Sequence, residues 1–233
     1  KTKIVLIEYN ARSRLMLKEK EEVHSGAENK TGEKSRFASE RFKSQIEFIT
    51  EVDKLKTIQR RTMLLDRSRQ ENSAEHCWHI ALIALVLSEY ADEDDLDLLH
   101  VIKLLLVHDL VEIDADDTYC YDEIGGQDQK IRETKAADRI FNILPPDQAN
   151  SFRSLWDEYE TRETPESRFA NALDRLQPLL HNYLTRGHTW KKYGIRKRQV
   201  IERMKPVDQG SHFLWDYVSG LIDDAVEKDY LKK

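Results

Sequence analysis

The chain has 233 residues, of which 39% are hydrophobic and 34% charged, and its formal net charge is −6. That gives room for one good core with an appendage, while the acidic balance excludes the basic footprint that grips a nucleic-acid polymer. A small phosphate ester could still be held by a metal ion and one or two arginines. With eight Gly and five Pro, a sandwich or barrel of many tight turns is not expected.

Residues 1–38 form a polar N-terminal extension. The short apolar run Ile4-Val5-Leu6-Ile7 gives way to charged and small residues through Lys30, a composition that does not build a core. The run is too short for a signal sequence, and no stretch approaches the roughly 20 apolar residues that span a bilayer. Only two cysteines occur, Cys77 and Cys120, so a disulfide framework is not expected. These features together point to a cytoplasmic chain with no membrane partner.

Residues 39–233 read as one all-α domain of about eight helices. Phe42, Ile46, Ile49, Val52 and Leu55 recur at spacings of three and four, which gives one apolar helical face. Asn72 followed by Glu75 has the form of a capping box. The helix it opens carries Ile80, Leu82, Ile83, Leu85, Val86 and Leu87, apolar around most of its circumference and so central. A second buried helix runs from about Leu96 to Glu112. Gly125-Gly126 breaks the chain before a helix near 128–143, which Pro145-Pro146 ends. Asp147 starts another helix, and Thr164-Pro165 caps the one that holds Phe169, Leu173 and Leu176. A last helix holds Leu214, Val218, Leu221 and Ile222. No β alternation is legible after residue 40.

Chemistry concentrates at a few positions. His108-Asp109 ends an apolar helix, and burying both costs several kcal/mol unless they are paired or metal-bound. Adjacent helix positions lie about 100° apart, so both can face one groove. Either a metal site or a hydrogen-bonded pair tying helices together accounts for them. His76 and His79, at i and i+3 in the first turns of their helix, share a face and are metal ligands or packing residues. Asp174 is a poor helix-interior residue, and Pro178 four residues on cannot donate to its carbonyl. A bound ligand makes both tolerable, and an Asp174–Arg175 surface pair is the alternative. Glu112 stands one turn beyond His108 and Asp109, where a carboxylate can orient or deprotonate water. Asp114 and Asp116 read as solvated loop. Arg60-Arg61 could clamp a phosphate or simply solvate a helix face, the reading also given to Lys191, Lys192 and Arg196 to Arg198.

These residues together resemble the HD-domain superfamily, whose pattern is a His, then His-Asp, then a distant Asp. Here those are His76, His108-Asp109 and Asp174. The match looks closer to the branch that contains the 5′-deoxynucleotidases, at Arg61, at Glu71 to His76, at His108-Asp109-Leu110-Val111-Glu112, at Asp117 and at Ala172-Leu173-Asp174. The resemblance covers about residues 42 to 230 and favours His76 over His79. It implies one divalent metal ion (Mn, Co, Zn, Fe or Mg) held by His76, His108, Asp109 and Asp174. It further implies Glu112 acting on the attacking water, Arg61 on the substrate phosphate and Asp117 on the sugar hydroxyl. A homodimer and nucleoside 5′-monophosphate substrates follow in the same way. In deoxynucleotidases a tryptophan that helps exclude the ribose 2′-hydroxyl typically follows that arginine. Here Thr62 does, so the resemblance does not extend to deoxyribose selectivity.

With a single HD motif and no second metal cluster legible, a phosphomonoesterase is expected. A hydrolase of nucleoside triphosphates or phosphodiesters, or a non-catalytic metal-binding scaffold, is the alternative.

Overall fold

The computed structural model describes residues 31–122 and 127–233, with side chains from residue 39 onward. The Ile4 to Ile7 run, most of the polar extension and the Gly125-Gly126 break lie outside the described residues. The chain divides into two units, Lys1–Lys43 and Ser44–Lys233. Of the first, the described part is the opening of helix α1 (Thr31–Val52). The second carries everything that follows.

After α1 the chain tightens into a 3-10 turn, Asp53–Thr57, and enters a two-stranded antiparallel hairpin, β1 (Gln59–Met63) and β2 (Gln70–Asn72). This hairpin is an addition to the all-helical expectation. Its strands are short and polar, QRRTM and QEN, so they carry none of the apolar alternation by which a strand is recognised. Period two nonetheless holds in β1: Thr62 is buried and Arg60 largely so, whereas Arg61 between them is exposed. Adjacent strand residues face opposite sides, and the basic pair, expected on one solvated helix face, is thereby split.

The capping box forms as expected and opens α2 (Ser73–Leu87): Asn72 Oδ1 accepts from Glu75 N at 2.9 Å, and the Glu75 carboxylate accepts from Asn72 N at 3.1 Å. Helix α3 (Leu98–Val107) runs into a 3-10 turn, His108–Val111, and then the short α4 (Glu112–Ala115). Next come α5 (Gln129–Phe141), α6 (Pro146–Thr161) and α7 (Pro165–Leu184). Pro145-Pro146 starts α6 rather than merely ending α5, because proline's missing N–H costs nothing in a first turn. Thr164 caps α7 through Ser167 N, as its sequence indicates, and the helix continues through Pro178 to Leu184. Four further helices complete the chain: α8 (His188–Tyr193), α9 (Lys197–Met204), α10 (Val207–Gly210) and α11 (His212–Glu227).

Two buried clusters hold the body together. One gathers Ile80, Val101, Leu104, Leu173, Leu176 and Ile222; the other gathers Phe48, Val107, Ala137, Ile140, Phe141 and Trp156. Each fully buried Leu or Ile contributes about 1.5–3 kcal/mol relative to exposure. Helix α3 feeds both clusters, so its C-terminal end, where His108 and Asp109 sit, lies where they meet. Two expectations need correction. In α1, Phe48 is buried while Ile46 and Ile49 are exposed, so the apolar stripe is not the packing face. In α2, Ile80, Ala81 and Ala84 are buried, but Trp78, Leu82, Leu85 and Val86 face solvent, so the helix is packed on one side only.

Candidate metal centre

The structure brings His76, His108, Asp109 and Asp174 together from α2, the turn after α3, and α7. Asp174 Oδ1 lies 2.9 Å from His76 Nε2 and 3.8 Å from His108 Nε2. Asp109 Oδ1 lies 3.0 Å from His108 Nε2, and Asp109 Oδ2 lies 4.0 Å from His76 Nε2. All four are buried, His76 completely. An Asp174–Arg175 surface pair is ruled out, because Arg175 is buried too, with its guanidinium on the carbonyl and side-chain oxygens of Asn171.

Hydrogen bonds behind the rings set their orientation. His108 Nδ1 donates to Leu105 O at 2.9 Å, and His76 Nδ1 donates to Gln177 Oε1 at 3.2 Å. Both Nε2 atoms therefore face the carboxylates. His108 Nε2 is buried with no hydrogen-bond partner, despite an Asp109 oxygen at 3.0 Å. Donors are crowded together there without being aligned to one another. Two imidazole nitrogens and two carboxylates with an orphaned ring nitrogen among them match the donor set of a transition-metal ion. The residues fit a divalent ion.

The electrostatics agree. Burial opposes charge on His108, yet the adjacent Asp109 carboxylate outweighs it and holds the imidazole pKa well above its ordinary value. Burial likewise opposes ionisation of Asp174, but the His108 and His76 rings keep its pKa well below the usual range. The centre thus favours a positive charge among its donors. His76 moves the other way, lowered by burial and by the Arg60 guanidinium.

Around this centre the remaining expected residues take different places. Glu112 is buried, its Oε2 accepting from Ser73 Oγ at 2.5 Å; burial and the Asp109 charge push its pKa well up. Asp117 follows a turn in which Asp116 has φ 59° and ψ 157°, a conformation costly for any residue but glycine. Its carboxylate reaches to 4.0 Å from Arg60 Nη1. Asp117 and Asp174 both line two adjoining cavities of about 80 and 330 Å3. Arg61 and Thr62 line the smaller; His108, Asp109 and Glu112 line the larger. Arg61 stacks loosely over Tyr193, its guanidinium carbon 5.9 Å from the ring centre.

Several residues escaped the sequence reading. Arg60 turns inward and donates to Asp109 Oδ2 at 2.9 Å. Arg175 and Arg203 line both cavities. Gln177 joins His76 to Glu71, His79 and His181, which form a second grouping of donor atoms. No second cluster is legible in the sequence because the members of this grouping are too far apart to show a spacing. The spacing of Asp174, Gln177 and His181, at i, i+3 and i+7 on one face, was the available signal. Cys77 keeps its packing role, since burial pushes its thiol up to about 11 and withholds the thiolate that binds metal.

This arrangement on a helical body is that of the HD domain, whose family model matches residues 52–215; the chain belongs to that family. Among solved structures, a predicted metal-dependent phosphohydrolase from Magnetospirillum magnetotacticum MS-1 is similar over 83% of this chain and 100% of its own. It is 49% identical, with a TM-score of 0.79. A protein from Pyrococcus horikoshii OT3 shares the fold at 21% identity and a TM-score of 0.57. Among curated proteins, the human 5′-deoxynucleotidase HDDC2 is 29% identical over 145 residues, 62% of this chain and 69% of that protein.

Proposed function

We propose that this chain is a metal-dependent phosphohydrolase that releases phosphate from nucleoside 5′-monophosphates. The observation that carries the reading is the convergence of His76, His108, Asp109 and Asp174 on a space where His108 Nε2 has no partner, beside a buried glutamate and two cavities. The family and the kinship to a phosphohydrolase and to 5′-deoxynucleotidases support the same reaction.

Those four side chains would hold one divalent ion; Mn, Co, Zn, Fe and Mg are all compatible with mixed nitrogen and oxygen donors. When bound, the ion acidifies water and polarises a phosphoryl oxygen. Glu112, raised in pKa and fixed by Ser73, takes the proton from the attacking water. Arg61 holds the phosphate from the rim of the smaller cavity, and Asp117, shared by both cavities, receives the sugar hydroxyl. Arg60 keeps Asp109 in place through its 2.9 Å bond. Residues 39–233 form the hydrolase and residues 1–38 an extension to it. The exposed apolar side chains of α2, Trp78, Leu82, Leu85 and Val86, support a homodimer. Among the described residues no helix is long and apolar enough to cross a membrane, which accords with a cytoplasmic enzyme acting on small nucleotides.

The test is phosphate release from a panel of ribo- and deoxyribonucleoside 5′-monophosphates, using metal-stripped protein resupplied with single metals. Release should require metal, and Glu112→Ala should keep the metal but lose turnover. No release from metal-loaded protein would move the reading to triphosphate or phosphodiester substrates, or to a structural metal.

A further inference from the structure

On the Nδ1 edge of His76, opposite the carboxylates, a second set of donors converges. Gln177 Nε2 lies 2.6 Å from Glu71 Oε1, 3.3 Å from His79 Nδ1 and 3.3 Å from His181 Nε2. An amide nitrogen has two hydrogens, and three groups compete for them: Glu71 Oε1, His181 Nε2 and, in the tautomer with its hydrogen on Nε2, His79 Nδ1. His181 cannot relieve the shortage while neutral. Its Nδ1 lies 3.0 Å from Met63 O, an atom that only accepts, so Nδ1 carries the hydrogen and Nε2 turns a lone pair to the cluster. Glu71 adds to the surplus: it is 2% exposed, and its Oε2 has no hydrogen-bond partner, the Arg60 Nε standing 3.8 Å away as an ion-pair partner beyond hydrogen-bond reach. Buried lone pairs without donors are costly, and a cation removes the cost.

We propose that Glu71, His79 and His181 form a second metal-ion site, suited to a zinc-class divalent cation, whose filling antagonises the first. The donor atoms lie within 4.8 Å of one another, and two imidazoles with one carboxylate are a proven zinc set. The three donors surround Gln177 Nε2, so the ion displaces that nitrogen. If the side chain swings away, His76 Nδ1–H loses its acceptor. If the amide turns over so that Oε1 meets the ion, its nitrogen donates to His76 Nδ1. The ring hydrogen must then move to Nε2, the atom that faces Asp174. Either course impairs His76 as a ligand of the first site. This coupling rests on the proposed role of His76; the second site itself does not.

The experiment measures bound zinc by equilibrium dialysis of the full chain at rising free zinc, with phosphate release followed in parallel. Wild type, His79→Ala and His108→Ala are compared, with Co2+ as a spectroscopic substitute. Wild type should take up a second ion after the first, its activity rising and then falling. His79→Ala should bind one ion fewer, retain basal activity and lose the falling limb. His79 is only half-buried, and His79→Gln serves as a second variant if the first does not fold. Equal zinc uptake by wild type and both His79 variants, or an unchanged falling limb, overturns the proposal. His108→Ala should lose the other ion. If it binds as much as wild type, the first-site reading fails instead, and the second site is still judged by the His79 variants.

Discussion

The two donor clusters on either side of Gln177 share helices α2 and α7 and use nearly the same residue types, the first adding the turn after α3 and the second adding β2. His76 and His79 lie one turn apart on α2, and Asp174 and His181 lie two turns apart on α7. Yet the first cluster contains an orphaned imidazole nitrogen and opens into two cavities, whereas the second is already gathered around an amide nitrogen. Ligand identity alone does not decide what a cluster does. The hydrogen bonds behind the ligands, Leu105 O on His108 and Gln177 on His76, decide which lone pairs remain free.

The largest effect should come from removing Asp174, whose Oδ1 lies 2.9 Å from His76 Nε2 and 3.8 Å from His108 Nε2. Asp174→Ala should abolish metal-dependent phosphate release. In the metal-free protein it should also cost about 3–5 kcal/mol, as breaking a buried ion pair does, which denaturant unfolding in chelator would measure. Glu112→Gln should come next: turnover should drop by about 10²–10⁴-fold while dialysis shows the metal retained, separating proton transfer from metal binding. Gln177→Leu probes the joint between the clusters. Loss of such a supporting hydrogen bond lowers metal affinity by about 10–100-fold, and an unchanged affinity in competition with a chelator would show that the two clusters are independent.

The smallest effect lies at a control site far from this chemistry in sequence. His212 is exposed, and its pKa is raised by the hydrogen bond to Asp208 at 2.9 Å and by Asp92 at 3.7 Å. Because the folded value is raised, the pair's contribution is full below the unfolded pKa of about 6.5 and is lost as pH rises through the folded value. The Tm difference between wild type and His212→Gln should therefore be present in mild acid and vanish in mild alkali. Metal affinity should not change.

Much of this was legible in the chain itself. Apolar runs and caps placed α2, α3 and α7, because burial and capping leave marks a few residues long. His76, His108, Asp109 and Asp174 were found through a family pattern, and the structure brings all four together. The hairpin was not legible, since β1 is polar and only five residues long. For the same reason the inward turn of Arg60 was not legible beside Arg61: which of two neighbouring arginines faces the site depends on strand pairing. Glu71, Gln177 and His181 escaped because their meeting is tertiary. The packing faces of α1 and α2 were misjudged where hydrophobic residues remain exposed, as a one-way burial rule allows.

The account turns on the first cluster holding a catalytic metal. The most direct test is to strip the protein of metal and measure bound metal and phosphate release together on adding Mn2+ or Co2+, for wild type and His108→Ala. Wild type should regain both in proportion, and His108→Ala should regain neither. Full hydrolysis by the stripped protein, or a His108→Ala variant with undiminished metal and rate, would contradict the account.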